Sequence, residues 1–266
     1  MAPSKREREY ARKRQAKWDE RQRLKRERRR RVAVIVAILA VFALVAGGAV
    51  VLAGLPTSST ASPDAAGSEP PTSSDGCSPV STDPREGGEL PDPSVAEDRT
   101  WTVSIDLCVD GTTEVIDLEL DGQEAPQAVA SFVSLAQQGY FDATACHRLV
   151  TEGIHVLQCG DPTASGTGGP GYSYGPVENA PAADTYPAGT LAMARRGGDG
   201  ASMGSQFFLV YEDSTIPSDA AGGYTVFGTV TSGLDTVQAV ADAGTTDGAA
   251  DGSPASPVII EGVETQ

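Results

Sequence analysis

Lysine is absent from most of this chain. Its 266 residues contain 20 lysines and arginines against 36 aspartates and glutamates, and no lysine follows residue 31. Residues 1–31 hold fifteen of the basic residues but five of the acidic ones, so residues 32–266 retain five arginines and thirty-one acidic residues. This asymmetry of charge indicates that the two parts of the chain occupy different compartments.

Histidine and cysteine are also scarce, with two histidines and four cysteines in the whole chain. Both histidines and two cysteines fall within ACHRLVTEGIHVLQCGD, residues 145–161, where Cys146, His147, His155 and Cys159 suggest a zinc quartet. Because side chains alternate along a strand, Cys146 and His147 would point to opposite faces, and a tetrahedral site would require a bend. We therefore expect no metal and no cofactor, and a zinc hydrolase stays as an alternative that elemental analysis would reveal.

The position of the histidines also argues against a serine hydrolase. GASMG, residues 200–204, matches a nucleophile elbow around Ser202, but that motif needs a preceding strand and a later histidine, and both histidines lie upstream. GTGGPG, residues 166–171, matches a dinucleotide-binding fingerprint, but Pro170 and the residues after it do not open a helix. Both segments are predicted to be loops.

Charged residues are missing from residues 32–55, VAVIVAILAVFALVAGGAVVLAGL. Twenty-four uncharged, mostly apolar residues are enough for a transmembrane helix, and Arg28 to Arg31 before them predict a cytoplasmic N-terminus. A cleavable signal peptide is the alternative, disfavoured by the long apolar and basic regions and by the lack of a clear cleavage site. A lipoprotein anchor is disfavoured because no cysteine follows LAG. We expect a single-pass membrane protein whose remaining residues are extracytoplasmic.

The segments on either side of this anchor are polar. Residues 1–31 are predicted to be a basic cytoplasmic tail that sets topology and contacts anionic lipid, and nucleic-acid binding is a minor alternative that we do not expect. Residues 56–98, rich in Ser, Thr, Pro and Gly, predict a disordered linker. Cys77 within it suggests that its far end is tied to the domain. Residues 99–266 are sufficient for one domain with a sizeable core.

Short strands dominate this domain. TWTVSIDLCVDG and TTEVIDLEL predict a hairpin joined at Asp110-Gly111, and residues 145–161 predict two strands. EAPQAVASFVSLAQQGYF predicts a helix with Pro126 in its first turn and Gly139 at its end. A surface loop (residues 161–189), strands in GTLAMAR, SQFFLVY and YTVFGTV, a helix in GLDTVQAVADAG and a strand in SPVIIEGV follow. The pattern indicates a mainly β fold, a closed antiparallel barrel with two helices.

An exported domain is a place where cysteines oxidise, and four cysteines allow one or two disulfides. If Arg148 faces Gln158 across the hairpin, strand alternation puts Cys146 and Cys159 on opposite faces, which argues against a disulfide between them. The partner of Cys77 stays open.

The motifs HRLV, VLQCGD, GTGGPGY, GTLAMA, GSQFFLVY and YTVFGTV follow one another in an order that resembles the cyclophilin-type peptidyl-prolyl cis-trans isomerases. The resemblance is to the membrane-anchored extracytoplasmic form of high-GC Gram-positive bacteria, and it covers Trp101 to about Val263. It implies a closed eight-stranded antiparallel barrel capped by two helices, and an enzyme that isomerises X-Pro bonds of exported proteins to assist their folding.

The resemblance also assigns site residues. It implies that Arg148 is catalytic, that Gln158 is its partner, that Phe208 forms the proline pocket and that Gln206 binds peptide. Alternation along SQFFL agrees, because Gln206 and Phe208 share one strand face and Phe207 the other. Further residues take substrate-binding positions of the family: Val156, His155, Ala194 and Tyr224.

Two departures from the family concern the pocket rim. Arg195 replaces the usual asparagine, and the pocket tryptophan is absent from DSTIPSDAAGG, where Ile216 is the nearest apolar candidate. Arg195 and Ile216 are both candidate substrate-binding residues. We expect proline-containing polypeptides as partners and a monomer. The alternative is a catalytically weak proline-peptide-binding module or holdase chaperone.

Overall fold

The computed structural model of the chain describes residues 76–266. The predicted basic tail (1–31), the predicted transmembrane anchor (32–55) and the first part of the predicted linker (56–75) lie outside the described residues. Within residues 76–266, no helix has both the length and the apolar character that a membrane crossing requires.

The described part of the chain is mainly β, with two α-helices. The helices are α1 (Pro126–Gln137) and α2 (Leu234–Ala243). The strands are β1 (Thr100–Val109), β2 (Thr112–Asp121), β3 (Thr144–Ala145), β4 (Arg148–Val150), β5 (Val156–Cys159), β6 (Thr185–Tyr186), β7 (Thr190–Met193), β8 (Phe207–Val210), β9 (Ser214–Thr215), β10 (Val226–Ser232), β11 (Asp251–Gly252) and β12 (Val258–Thr265). All but β6 and β9 form one antiparallel sheet in the order β11-β4-β5-β8-β7-β10-β2-β1-β12-β3.

The predicted β1–β2 hairpin is confirmed. Asp110 and Gly111 have φ values of 48° and 84°, the positive angles that a tight two-residue hairpin turn requires at both central positions. Val109 pairs with Thr112 directly across this turn. Along β1 the apolar residues Trp101, Val103, Ile105 and Leu107 are buried in alternation, as the sequence predicts.

The sheet is curled because one segment borders both of its ends. Thr144 and Ala145 in β3 pair with β12, and the Cys146 N–H donates to the Val258 carbonyl. The His147 N–H then donates to the Gln158 carbonyl, where β4 begins to pair with β5. If β3 and β4 are taken as one interrupted strand and the two-residue β11 is set aside, the main sheet reduces to eight strands.

The core lies between α1 and the sheet. Phe132 of α1 has ring-centroid distances of 5.1 Å to Phe141, 5.4 Å to Phe207 and 5.4 Å to Phe227. The predicted α1 face is confirmed, because Val129, Phe132, Val133 and Ala136 are all buried. The helix is in fact buried on nearly every side, and this explains why its sequence is rich in alanine and contains no charged residue.

Residues 77–98, which we call the N-terminal strap, differ from the predicted linker because they pack on the domain. The Arg85 guanidinium donates to the Tyr140 carbonyl at 2.8 Å, and the Gly87 N–H donates to the Pro170 carbonyl at 2.8 Å. Cys77 forms a disulfide with Cys108. Polar contacts and a covalent bond hold the strap, so the sequence shows no apolar period there.

Cys146 and Cys159 also form a disulfide, and the expectation against this pairing was wrong. It assumed strict alternation of side chains from Gln158 back to Cys146. The regular strand breaks between Ala145 and Arg148, so alternation does not extend across that break. Both cysteines turn into the main core.

The segment 161–189, predicted to be a surface loop, is irregular but not wholly exposed. Tyr174 and Tyr186 are buried, and Tyr186 belongs to the short strand β6, which pairs with β9. The Tyr186 hydroxyl accepts a hydrogen bond from the Tyr224 N–H at 2.8 Å. The loop therefore supports the wall of the candidate site.

Candidate functional site

The backbone register brings three of the predicted positions together. Arg148 in β4 pairs with Gln158 in β5, as the sequence analysis assumed, and Gln158 pairs in turn with Phe208 in β8. Phe208 pairs with Ala192 in β7. A guanidinium, an amide and an aromatic ring thus lie on three adjacent strands.

Beside this row lies a hollow of about 170 Å³. Phe208 and Val156 line its base and are 5 % and 3 % exposed. The Tyr224 ring meets the Phe208 ring edge-on, with centroids 5.5 Å apart. The remaining wall is formed by Arg148, Ile154, Gln158, Ala194, Arg195 and Ile216. Apolar and aromatic side chains thus share the lining of the hollow with two guanidinium groups and one amide.

Phe207, next to Phe208, points the other way into the main core, as predicted from alternation. The same rule explains where His155 lies. His155 does not line the hollow, because it lies one residue from Val156 and faces Tyr211, with ring centroids 5.7 Å apart. Ile154, two residues from Val156, takes the place in the hollow. The period of two could have identified Ile154 from the sequence.

A chain of hydrogen bonds connects the polar side chains. Arg148 Nη1 donates to Gln158 Oε1 at 3.1 Å, and Gln158 Nε2 donates to Gln206 Oε1 at 2.7 Å. Gln206 Nε2 then donates to the Gly168 carbonyl at 2.8 Å. Each amide therefore accepts on one side and donates on the other, and this fixes the direction of both glutamines.

Gly168, at the end of this series of hydrogen bonds, is held by the buried Asp161. Asp161 Oδ1 accepts from the Thr163 N–H at 2.7 Å and Oδ2 from the Gly168 N–H at 3.0 Å. Burial raises the pKa of Asp161, but a hydrogen bond from the Thr163 hydroxyl and these two backbone hydrogen bonds together bring the pKa below its ordinary value. The loop that carries Gly168 is thus held from inside the fold.

Arg148 has a second partner, Asp251, that the sequence does not predict. Its Nε donates to Asp251 Oδ1 at 2.7 Å and its Nη2 to Asp251 Oδ2 at 2.8 Å. The hydrogen bonds from Arg148 lower the pKa of the Asp251 carboxyl, and the same contact raises the pKa of Arg148. No motif marks Asp251, since only the pairing of β11 with β4 brings it to the arginine.

Arg195 lines the hollow, but its guanidinium is not available to a ligand. Its side chain is 1 % exposed and pairs with Asp219 through both carboxylate oxygens at 3.0 and 3.1 Å. Its remaining N–H groups donate to the carbonyls of Gly223, Gly222 and Arg196 at 2.9, 2.6 and 3.2 Å. Its five donors are thereby all used. Hydrogen bonds from Arg195 hold the pKa of Asp219 far below its ordinary value.

A wider groove continues from the hollow past Gln158 and Ala194. It has a volume of about 400 Å³ and is bordered by Gln206 and by the glycine-rich segment 166–170. The Ala194 N–H donates to the Gln206 carbonyl at 2.9 Å, so the edge of this groove is fixed by backbone pairing. The arrangement can hold an extended chain with one apolar residue in the hollow.

The suggested zinc quartet does not converge. Cys146 and Cys159 are joined to each other, His155 faces Tyr211, and His147 lies beside Gly166. Among residues 76–266, the group of metal-ligating types that is close enough together is Cys77, Cys108 and Glu261, and its two cysteines also form a disulfide. The GASMG and GTGGPG segments are loops, as predicted.

Comparison with known proteins gives a family match over most of this domain. Residues 105–265 match the family described as cyclophilin type peptidyl-prolyl cis-trans isomerase/CLD. A solved structure from Cryptosporidium parvum, a cyclophilin type peptidyl-prolyl cis-trans isomerase, is similar with a TM-score of 0.52 and 25% identity, covering 63% of this chain and 98% of that chain. The same protein determined in the presence of the dipeptide Ala-Pro matches with a TM-score of 0.51, also at 25% identity, covering 62% of this chain and 98% of that chain.

The curated relatives that the chain resembles are named as members of the same family. The probable peptidyl-prolyl cis-trans isomerase B of Mycobacterium tuberculosis is 48% identical over 160 residues, which are 56% of this chain and 50% of the relative. That of Mycobacterium leprae is 43% identical over 204 residues, 72% of this chain and 64% of the relative. The peptidyl-prolyl cis-trans isomerase B of Bacillus subtilis is 42% identical over 120 residues, 45% of this chain and 78% of the relative. The chain thus spans half to about two thirds of the length of the two mycobacterial relatives.

Proposed function

Because this chain belongs to the cyclophilin-type peptidyl-prolyl cis-trans isomerase family, we propose that it catalyses the cis-trans isomerisation of X-Pro bonds in polypeptides. The observation that carries this proposal is the position of the Arg148 guanidinium at the edge of the apolar hollow that contains Phe208. A proline ring in the hollow brings its own amide nitrogen toward the arginine.

The chemistry needs neither a nucleophile nor a proton transfer. Rotation about a peptide bond is slow because the nitrogen lone pair is delocalised into the carbonyl, with a barrier of about 18–20 kcal/mol. In the twisted transition state the prolyl nitrogen becomes pyramidal and accepts a hydrogen bond that it could not accept before. A fixed cationic donor stabilises this state more than either planar isomer, which is the condition for catalysis.

Each part of the site has a place in this scheme. Arg148 donates to the prolyl nitrogen, Gln158 holds the guanidinium, and Phe208 with Val156 and Ile216 contacts the ring. Ala194 and Gln206 border the groove for the rest of the peptide. A 10⁵-fold acceleration requires a barrier lower by about 7 kcal/mol, at about 1.36 kcal/mol for each factor of ten.

The cellular setting is part of the same proposal. Residues 32–55 anchor the chain in a membrane with residues 1–31 on the cytoplasmic side, and the domain acts outside on exported, proline-containing polypeptides. Two disulfides suit an oxidising exterior. Protease added to intact cells should remove the domain, and a fully protected domain would contradict this placement.

The proposal also includes the architecture and the oligomeric state. The curled sheet forms a closed barrel. One chain supplies every residue of the hollow, so the protein can act as a monomer.

The test is exchange spectroscopy by NMR on an Ala-Pro peptide, with catalytic amounts of the full-length chain in detergent. Arg148→Ala should lower the catalysed rate about 10²–10³-fold, the usual effect of removing one transition-state donor. Peptide binding should persist, because Phe208, Val156 and Ile216, which contact the proline ring, stay in place. Arg99→Ala is the matched control, since the Arg99 side chain is also 40% exposed and ion-paired, with Glu97 at 2.8 Å, but lies outside the hollow and the groove.

The outcomes separate two functions. Turnover that depends on Arg148 supports an isomerase. Peptide binding without turnover in the wild-type chain supports the alternative, a proline-peptide-binding module or holdase. Equal rates for wild type and Arg148→Ala would contradict the assigned role of the guanidinium.

A further inference from the structure

The ion pair between Arg148 and Asp251 has no part in the scheme above. Asp251 belongs to the two-residue strand β11, in which Asp251 pairs with Val150 and Gly252 with Leu149 of β4. The Thr151 N–H donates to the Ala250 carbonyl at 2.8 Å and continues this pairing. The carboxylate is therefore delivered to Arg148 by a separate segment, residues 244–256, and not by the hairpin that carries the arginine.

This segment is braced by its own contacts. The Thr246 N–H donates to the Ser253 carbonyl at 2.9 Å and the Ala255 N–H to the Gly244 carbonyl at 2.8 Å. Asp247 Oδ1 accepts from the Ala249 N–H at 3.1 Å. Asp251 thus has a defined position that does not depend on its bond to Arg148.

The contact occupies one edge of the guanidinium. Nε and Nη2 face the two Asp251 oxygens, and Nη1 donates to Gln158. Three of the five N–H groups are used in this way, so within residues 76–266 one N–H on Nη1 and one on Nη2 have no protein acceptor. Two neighbours on different strands therefore fix the plane of the guanidinium while leaving donors for a ligand.

The pair contributes little to the stability of the fold. The side chains of Arg148 and Asp251 are 40% and 53% exposed. Ion pairs with this exposure add little to the free energy of unfolding, because water screens them and ordering two side chains costs entropy. The two hydrogen bonds to Asp251 affect the direction of the Arg148 N–H groups more than they affect the stability of the fold.

We propose that Asp251 is a positioning residue that holds the Arg148 guanidinium in the orientation from which it donates to the prolyl nitrogen. The inference rests on the proposed function. Without the carboxylate, the long arginine side chain samples several rotamers, and the fraction of molecules with a correctly directed donor falls. The loss appears in kcat, because the interaction is made in the transition state, and not in the affinity for the planar peptide.

The experiment compares Asp251→Asn with Asp247→Asn in the full-length chain in detergent. Both variants remove one carboxylate from the same segment, but Asp247 contacts Thr245 and Ala249 and not Arg148. The asparagine at position 247 keeps the Oδ1 acceptor for both of these contacts, so the segment stays braced. By NMR exchange on an Ala-Pro peptide, Asp251→Asn should lower kcat about 3–10-fold with unchanged peptide affinity. Asp247→Asn should stay within about twofold of wild type.

Two further measurements separate positioning from a general structural effect. The Arg148 Nε–H resonance, assigned by its loss in Arg148→Lys, should be protected from solvent exchange in wild type and Asp247→Asn but not in Asp251→Asn. In an Arg148→Lys background, Asp251→Asn should change kcat less than about twofold, because lysine has no bidentate edge to be held. Backbone amide spectra establish that each variant is folded.

Wild-type kcat in Asp251→Asn would overturn the inference, as would an equal loss in Asp247→Asn or an undiminished loss in the Arg148→Lys background. Failure of the proposed function looks different. In that case the wild-type chain shows no turnover, or Arg148→Ala turns over like wild type, and the inference falls with it.

Discussion

Arg148 and Arg195 border the same hollow but differ in what surrounds them. The Arg148 side chain is 40% exposed, whereas that of Arg195 is 1% exposed. The first keeps donors for a ligand and the second has none left. Arg195 instead lies over the Tyr224 ring, with its guanidinium carbon 4.6 Å from the ring centroid, and ties down the segment 219–223. Arg195 therefore fixes the rim of the hollow through its contacts with Tyr224, Gly222 and Gly223.

Replacing Arg195 by lysine should therefore disturb the rim. Lysine keeps the charge but cannot reproduce five donors in a planar fork, so carbonyls of the 219–223 segment lose their partners. We expect a loss of about 1–3 kcal/mol in the free energy of unfolding and a three- to tenfold weaker peptide affinity, measured by denaturant titration and NMR titration. Arg99→Lys is the control, because the Arg99 side chain is 40% exposed and lies outside the hollow and the groove. Equal effects of the two substitutions would contradict a special role for Arg195.

Sequence reasoning at this scale succeeded where a rule about neighbours in the chain applies. Alternation separated Phe207 from Phe208 and could have placed Ile154, whereas His155, assigned by resemblance, faces Tyr211 outside the hollow. Asp251 and Asp219 were not foreseen. Each reaches its arginine through the fold, across 103 and 24 residues of sequence, and an aspartate in a glycine-rich loop has no pattern that announces its partner.

At the scale of elements, the hairpins and both helices follow from the sequence because their signals are local. The Asp110-Gly111 turn, Pro126 at the start of α1 and the apolar period within that helix all act over a few residues. The break between β3 and β4 could not be predicted, since it depends on pairing with β12 on one side and β5 on the other. The disulfide between Cys146 and Cys159 follows from that break.

The sequence does not predict the N-terminal strap, and Gly87 is the residue at which the strap packs most closely on the domain. A Cβ atom on Gly87 would lie 2.5 Å from Leu135 Cδ2 and 2.6 Å from Pro170 Cβ. Gly87→Ala should therefore push the strap away from Pro170 and cost about 1–3 kcal/mol of stability, the range for overpacked sites.

Because Pro170 borders the peptide groove, Gly87→Ala should also shift the amide resonances of residues 166–170. Gly197→Ala is the matched control, since a Cβ atom there meets nothing within 4 Å. Unchanged stability and an unchanged spectrum in Gly87→Ala would show that the strap does not press on the groove wall.

For the molecule as a whole, the Cys77–Cys108 disulfide closes a loop with a sequence separation of 31. Loop closure of this length predicts that the bond stabilises the folded state by about 2–4 kcal/mol, through restriction of the unfolded chain. Cys77→Ser should lose that amount in denaturant titration. The strap amides of Ser81 and Gly87, which donate to Ala143 and Pro170, should then exchange faster with solvent.

The same measurements on the wild-type chain after reduction provide the comparison. If reduction and Cys77→Ser leave the exchange of the Gly87 amide unchanged, the strap is held by its polar contacts alone. If both accelerate it, the disulfide is what keeps the strap, and with it the Pro170 wall, in place.

The contacts of the arginines also determine how well the described domain resists proteases that cleave after basic residues. Residues 76–266 contain no lysine, and of their five arginines only Arg196 makes no hydrogen bond through its guanidinium. An arginine that already donates to a carboxylate or to a backbone carbonyl must leave it before it can enter the specificity pocket of a trypsin-like enzyme. The contacts that organise the hollow and the strap thus leave the folded domain with a single ready cleavage point, in the loop that begins at Arg196.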